Sequence, residues 1–323
     1  MTPWCLLLAS GIAGAALTGA VMQYLRRRAI FDHPNERSNH VVPTPRGGGW
    51  GILLVLVPVW LAIGVAFWVL VGVGLLAAVS WLDDRHNLPP GPRLLIHGVA
   101  VVLGLVALGD GARVFQGWLP GVLDHILAGL CWLWFINLFN FMDGIDGLAG
   151  SEAVSVAGGL ALVAALGGGV PGVFVPALVL AGATLGFLAW NWQPAKVFMG
   201  DVGSIPLGFA LGWLLLGAAA SGAWLAAVLL PLYFVTDASI TLLRRLLAGK
   251  PVLQPHREHF YQQAIQAGRS HAAVTVLVIA ANGVLIGLAL AAPALGWLAL
   301  IGGGVVMVLL IRTLRSAVVV PSL

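Results

Sequence analysis

Apolar blocks long enough to cross a bilayer recur from Trp4 to Ile311, with only short polar connections between them. A hydrocarbon core about 30 Å thick takes roughly 20 helical residues per crossing, and backbone groups left unpaired in lipid cost several kcal/mol each, so only helices or closed barrels span it. Unbroken apolar blocks, without the alternation of a barrel strand, select helices. With a mean hydropathy of +0.99 and 9% charged residues, no stretch remains for a soluble domain of useful size. The sequence therefore predicts an all-α polytopic membrane protein, a single domain over residues 1–323.

Eleven spans are predicted, over 4–25, 51–64, 65–82, 94–108, 122–141, 151–166, 173–190, 204–217, 223–243, 272–291 and 295–311. The first is too long for a signal-peptide core and is followed by Arg26-Arg27-Arg28, so it is expected to be retained with its amino end outside. The stretch 51–82 has no polar turn to divide it, and charge parity decides for two crossings. That division leaves Arg113 as the one outer-face Lys or Arg, and puts the other 15 of 16 in inner segments. Cys5 and Cys131 lie far apart in apolar stretches, which predicts packing residues rather than a disulfide or metal framework. No internal repeat or low-complexity tract is visible.

This topology collects the unusual residues into five inner segments, 26–50, 83–93, 140–150, 191–204 and 244–271. The third holds the run Asn137-Leu-Phe-Asn140-Phe-Met-Asp143-Gly-Ile-Asp146-Gly-Leu148 at the end of an apolar block. Ionised groups at such a boundary are costly unless paired or metal-bound, so the run is a candidate active-site wall. Asp83, Asp84, Asp143, Asp146 and Asp201 can be brought round one cleft, where a divalent cation relieves their repulsion. Mg2+ suits such a site because it binds through one or two carboxylates together with substrate phosphates. Asp201, in a small-residue turn between Gly200 and Gly203 just before a helix expected to start at Ser204, is the candidate ligand. Adjacent Asp83 and Asp84 push one pKa upward, which makes one of them a candidate base. The fifth segment supplies Arg244, Arg245, Lys250, His256, Arg257, His259 and Arg269 for a diphosphate, on a loop that Pro251 and Pro255 keep from forming a long helix.

Each signal also has a plain reading. Arg26-Arg27-Arg28 is topogenic, Arg244-Arg245 fits a lipid headgroup as well as a phosphate, and Asp237, inside an apolar block, suits a structural pair as well as a site. His33, His86, His97, His125 and His271 are solitary and read as surface or packing residues; Trp132, Trp134, Trp190 and Trp192 read as belt and packing aromatics.

The ordered set Pro34-Asn-Glu-Arg37, Pro43-Thr-Pro-Arg46-Gly-Gly-Gly49, Asp83-Asp84, Asn137-x2-Asn140-x2-Asp143-Gly-x-Asp146-Gly-Leu148 and Phe198-Met-Gly-Asp201-x-Gly-Ser204 resembles the polyprenyl-phosphate N-acetylhexosamine-1-phosphate transferases from about Arg26 to Gly268. The resemblance implies a ten- or eleven-helix inner-membrane fold with a periplasmic amino terminus, a cytoplasmic carboxyl terminus and an active site facing the cytoplasm. It implies a Mg2+-dependent enzyme, with Mn2+ as a substitute, that passes a sugar phosphate from a UDP-N-acetylhexosamine to undecaprenyl phosphate and releases UMP. A homodimer in the lipid bilayer is compatible with it, and no nucleic acid is expected as a partner.

Carried over by position, Asp201 is the metal ligand and Phe198 the residue that stacks on uracil. Asn140 and Asp146 bind the nucleotide, Asp143 belongs to the catalytic wall, and Asp83 and Asp84 activate the lipid phosphate. Arg257 and the catalytic His259 hold the diphosphate, with Lys196 and His256 as further substrate contacts. Where many relatives read Asp-Arg-x-His-x-His, this chain reads His256-Arg-Glu-His259-Phe-Tyr261. That departure resembles the O-antigen branch and implies a 6-deoxy sugar such as N-acetylfucosamine or N-acetylquinovosamine in lipopolysaccharide biosynthesis, with UDP-N-acetylglucosamine as the alternative donor. Outside this class, a cation-coupled transporter would place acids at the membrane midplane in repeated broken helices, and a noncatalytic scaffold would leave Asp83, Asp84 and Asp201 together without a reason.

Overall fold

A computed structural model of the protein describes residues 2–34, 42–86, 88–166, 170, 172–251, 254 and 256–316. The Asn35-Glu-Arg37 part of the first motif, Pro255 and the last seven residues lie outside them. The helices are α1 (Pro3–Arg27), α2 (Gly49–Ala62), α3 (Phe67–His86), α4 (Pro90–Leu108), α5 (Gly121–Phe141), α6 (Leu148–Leu166), α7 (Phe174–Asn191), α8 (Asp201–Ala218), α9 (Trp224–Leu229), α10 (Leu232–Leu247), α11 (Phe260–Gln266), α12 (His271–Leu295) and α13 (Trp297–Arg315). A π-helical turn, Ala219–Ala223, joins α8 to α9. Among the described residues nine helical stretches are long and apolar enough to cross a membrane, α8 to α9 counting as one.

Two predicted spans take another form. The division of 51–82 falls at Ile63 to Ala66, where Gly64 adopts φ +79°, and it leaves α2 as a 14-residue helix. The predicted 223–243 span is broken at Leu230-Pro231 into α9 and α10, because proline removes a helical donor and crowds the preceding turn. Cys5 and Cys131 are exposed on the helix bundle rather than packed inside it.

The bundle is held by close helix contacts as well as by bulk. Helices α1 and α7 approach through glycine: a Cβ on Gly186 would meet the Gly11 carbonyl at 2.3 Å, and one on Gly14 would meet that of Ala183 at 2.5 Å. In lipid, where apolar contact alone does not drive helices together, small residues let dispersion between backbones do so. Trp132 lies in a slot left by Gly104 and Gly212 and donates its indole N–H to the Phe209 carbonyl at 3.1 Å. The Trp132 contact ties α5 to α4 and α8, two helices whose opposite ends carry Arg93 and Asp201.

Candidate active site

A strap brings the first cation to the acids. Phe31–Asp32 (β1) pairs antiparallel with Thr44–Pro45 (β2), and the strap after β2 docks on the loop before α8. Phe198 N donates to the Pro45 carbonyl at 2.8 Å, Gly48 N to the Phe198 carbonyl at 2.8 Å and Gly49 N to the Met199 carbonyl at 2.9 Å. The glycine run permits this approach: a Cβ on Gly49 would lie 2.2 Å from Gly203 Cα. Arg46, between these bonds, is thereby held beside Asp201.

Helix α8 begins at Asp201 itself, capped by Gly200 at φ +73°, rather than at Ser204. Asp201 sits in the first turn, where the helix dipole favours an anion. Its carboxylate spans two guanidinium groups, Arg46 Nη2 at 2.9 Å on Oδ1 and Arg93 Nη2 at 3.3 Å on Oδ2. Arg46 Nη2 also lies 2.8 Å from Asp84 Oδ1, and Arg93 Nη1 lies 2.5 Å from Asp83 Oδ2. Asp84 further accepts from Val202 N at 3.3 Å, and Asp83 from Leu88 N at 2.7 Å. The result is an alternating network of three carboxylates and two guanidiniums. The side chain of Asp84 is only 6% exposed, so stripping its partner would leave a buried charge, which costs about 3–5 kcal/mol. Burial opposes the charge on Arg46, but Asp84 and Asp201 outweigh it and hold its pKa above the ordinary arginine value.

No three His, Cys, Asp or Glu among the described residues form a complete metal cage. Two carboxylates do converge, because one Arg46 nitrogen touches both Asp84 Oδ1 and Asp201 Oδ1. Asp84 Oδ1 is buried and accepts no well-directed hydrogen bond. Paired hard oxygens of this kind fit Mg2+, which completes its shell with water and phosphate oxygens.

The turn after α5 adds Asp143, half-buried, whose pKa is pushed up to about 7 by burial and then by Asp201, against the pull of Arg46. Asn140, one turn earlier, accepts from Ser204 Oγ at 2.6 Å, which ties α5 to the first turn of α8. Asp146 is bonded to other elements. It accepts from Ala195 N at 3.1 Å and lies 3.3 Å from His271 Nδ1, while Thr275 donates to its carbonyl at 3.2 Å and Asn191 accepts from Gly147 N at 3.0 Å. Asp146 thus ties the turn to α7 and α12, and His271, read as solitary in the sequence, is its partner. Phe198 is half-buried beside the strap, and Lys196 stands over the Trp190 ring, 5.4 Å from its centroid.

The basic segment is anchored by Asp237. This fully buried carboxylate accepts from Tyr233 Oη at 3.2 Å, Thr241 Oγ1 at 3.3 Å, Phe260 N at 2.9 Å and Tyr261 N at 3.2 Å, and lies 3.3 Å from His259 Nδ1. Of the two sequence readings for Asp237, the geometry takes the structural one. His259 is 2% exposed and stacks on Tyr261. Tyr261 is fully buried, donates to the Phe141 carbonyl at 3.1 Å and presses on Gly144, so it braces the Asp143 turn rather than facing open space. His256 packs against His259; burial first, then His259 and Arg245, lowers its pKa to about 4, which leaves it neutral at pH 7. Arg244 and Arg257 line a polar cavity of about 190 Å³ with Thr241 and Gln263, while Arg245 and Lys250 pair with Glu258.

An apolar groove of about 530 Å³ runs between α4, α5 and α10, lined by Leu94, Leu133, Trp134, Phe141 and Leu243, with Asn137 and Ser239 as its polar contributions. Leu94 follows Arg93 on the first turn of α4, so the groove and the guanidinium shared by Asp83 and Asp201 draw on neighbouring positions of one helix. The structure therefore joins Asp83, Asp84 and Asp201, sets Asp143 and Asn140 beside them, and holds Asp146 and His259 as anchors. The sequence reading named neither Arg46 nor Arg93 as a site residue. Arg46 stood inside a motif already singled out, and Arg93 falls on the first turn of α4, opposite the acid pair.

The family model for glycosyl transferase family 4 matches residues 66–219. The chain is 31% identical over 283 residues to a "Probable undecaprenyl-phosphate N-acetylglucosaminyl 1-phosphate transferase" of Bacillus subtilis (strain 168), covering 81% of this chain and 77% of the relative. It is 32% identical over 326 residues to a "Decaprenyl-phosphate N-acetylglucosaminephosphotransferase" of Mycolicibacterium smegmatis, covering 83% and 77%. A shorter match, 34% over 183 residues, reaches a "Phospho-N-acetylmuramoyl-pentapeptide-transferase" of Thermosynechococcus vestitus, covering 51% of this chain and 46% of the relative.

Proposed function

Since the chain belongs to glycosyl transferase family 4, we propose that it is a polyprenyl-phosphate N-acetylhexosamine-1-phosphate transferase, taking a UDP-N-acetylhexosamine as donor and undecaprenyl phosphate as acceptor. The observation that carries this reading is that an apolar groove and the acid network share the first turn of α4, the groove through Leu94 and the network through Arg93. A long prenyl chain fits the groove, and its phosphate would arrive at Arg93 beside Asp83.

In this reading a phosphate oxygen of the acceptor attacks the sugar-bearing phosphorus of the donor. A P–O bond to the acceptor forms as the bond from that phosphorus to UMP breaks, giving a lipid-linked sugar diphosphate and UMP. Asp83 takes any proton left on the acceptor phosphate, and Arg93 orients that phosphate. Asp84 and Asp201 would hold Mg2+, which supplies neutralisation of the charge that develops on the phosphoryl oxygens. Phe198 offers its ring to the uracil, and Asn140, fixed by Ser204, keeps the Asp143 turn in place. Arg244 and Arg257 present forked donors at the basic loop. The positive-inside tendency supports a reaction on the cytoplasmic face of the inner membrane, since the site residues fall on the segments rich in Lys and Arg.

N-acetylglucosamine is the donor sugar we favour, because the long-matching relatives carry it in their names. The 6-deoxy reading, and with it O-antigen synthesis, rests on Tyr261, whose side chain is buried as a brace. Purified protein given undecaprenyl phosphate and, in turn, UDP-N-acetylglucosamine, UDP-N-acetylgalactosamine, UDP-N-acetylfucosamine and UDP-N-acetylquinovosamine should make lipid-linked product fastest with the first. Preference for either deoxy sugar would reverse that order, and no product with any of them would sink the assignment.

A further inference from the structure

The Asp84 and Asp201 pair already carries a cation of its own. Arg46 Nη2 lies 2.8 Å from one carboxylate and 2.9 Å from the other, a bridging position between two oxygens that converge. Arg93, the other guanidinium of the network, pairs among the described residues with Asp201 and Asp83 and not with Asp84. The backbone of Arg46 is pinned through its neighbours to the loop that carries Asp201, yet its side chain is 37% exposed. Its contact with Asp84 Oδ1 is an ion pair without a directed hydrogen bond. Such a side chain is tethered at its root, and at its tip only the bond to Asp201 Oδ1 is a directed one.

We infer that Arg46 is a positioning residue that acts as a tethered counter-cation: it holds Asp84 and Asp201 together until a divalent cation takes its place, and then turns to the arriving phosphates. The inference rests on the proposed role of these two carboxylates as the metal site. Charge supports the exchange. Three carboxylates and two guanidiniums sum to −1; a divalent cation brings the cluster to +1, which suits a diphosphate donor. Metal bound where Arg46 sits must displace it, so the apparent metal affinity is reduced by the fraction of molecules in which Arg46 is already out. The same contact offsets the repulsion between the two carboxylates before metal and substrate arrive.

The test is Mn2+ binding to the detergent-solubilised full-length protein, followed by the electron paramagnetic resonance signal of the free ion. R46Q should bind Mn2+ about tenfold tighter than wild type, since the competent fraction rises towards one, and R93Q, which removes an equal charge without unbridging the pair, should change it far less. Equal tightening in R46Q and R93Q would reduce the effect to general charge and overturn the inference, as would no tightening in R46Q. D201N separates the two levels: undiminished Mn2+ binding there would remove the metal-site reading itself, whereas lost binding in D201N with unchanged binding in R46Q would remove the Arg46 role alone. Wild-type protein gives a check that needs no variant. Phenylglyoxal should label Arg46 faster with Mn2+ than with EDTA, and Arg26 to Arg28 equally in both; equal labelling of Arg46 in the two conditions would overturn the exchange.

Discussion

Single carboxylates in this protein do different work according to what surrounds them. Asp237 accepts from two backbone amides and two hydroxyls and contacts a histidine. Asp237→Ala therefore strands several buried donors, each costing about 1–3 kcal/mol. Thermal unfolding in detergent should show a loss of several degrees or failure to fold, whereas a Tm within a degree of wild type would contradict its anchoring role. Asp143 supplies a pH signature. Its pKa rises from an ordinary 3.8 to about 7 on folding, so the stability tied to its protonated form is present below about pH 4 and is lost as pH rises through 7. In metal-free buffer, Asp143→Asn should gain Tm relative to wild type as pH rises from 5 to 8; a constant difference across that range would contradict the shift. The sequence made the acids conspicuous, because charge in so apolar a chain stands out. It could not sort them, since Asp146 and Asp143 share one Asp-Gly pattern and differ only in which distant element they meet.

Elements show where periodicity stops informing. Most span positions were legible from hydropathy alone, and the featureless 51–82 stretch does divide into two helices, at Ile63 to Ala66. The break at Pro231 was marked by a proline but hidden by the apolar residues on both sides. It matters because α10, beginning after the break, carries Asp237 and the basic pair Arg244 and Arg245 towards the site. The docking of the strap was illegible: Gly47-Gly48-Gly49 signals close approach, but only the fold shows that the approach is to Gly203 at the start of α8. Gly49→Ala tests that element directly. Overpacking of this kind costs about 1–3 kcal/mol, and the displaced strap would carry Arg46 away from Asp201. Both Tm and turnover should fall, with turnover down about tenfold or more for a shift near 1 Å; normal turnover would show that the strap does not position the site.

For the whole molecule, class was readable because the bilayer allows few solutions, and order of motifs carried the family resemblance that the comparisons bear out. The transporter alternative loses its ground on the same scale, since Asp83, Asp84, Asp143 and Asp201 lie at helix ends on one end of the bundle. What the whole fold adds is adjacency: an apolar groove and a cluster of hard oxygens and guanidiniums share the first turn of α4, at Leu94 and Arg93. That adjacency makes the central claim one about phosphorus rather than about sugar alone. It is tested by a donor labelled with 32P at the sugar-bearing phosphorus and 3H in uridine, incubated with the protein, Mg2+ and undecaprenyl phosphate. The account predicts 32P in the lipid fraction and 3H released as UMP in equal amounts, both dependent on acceptor; 32P leaving with uridine as UDP would contradict it.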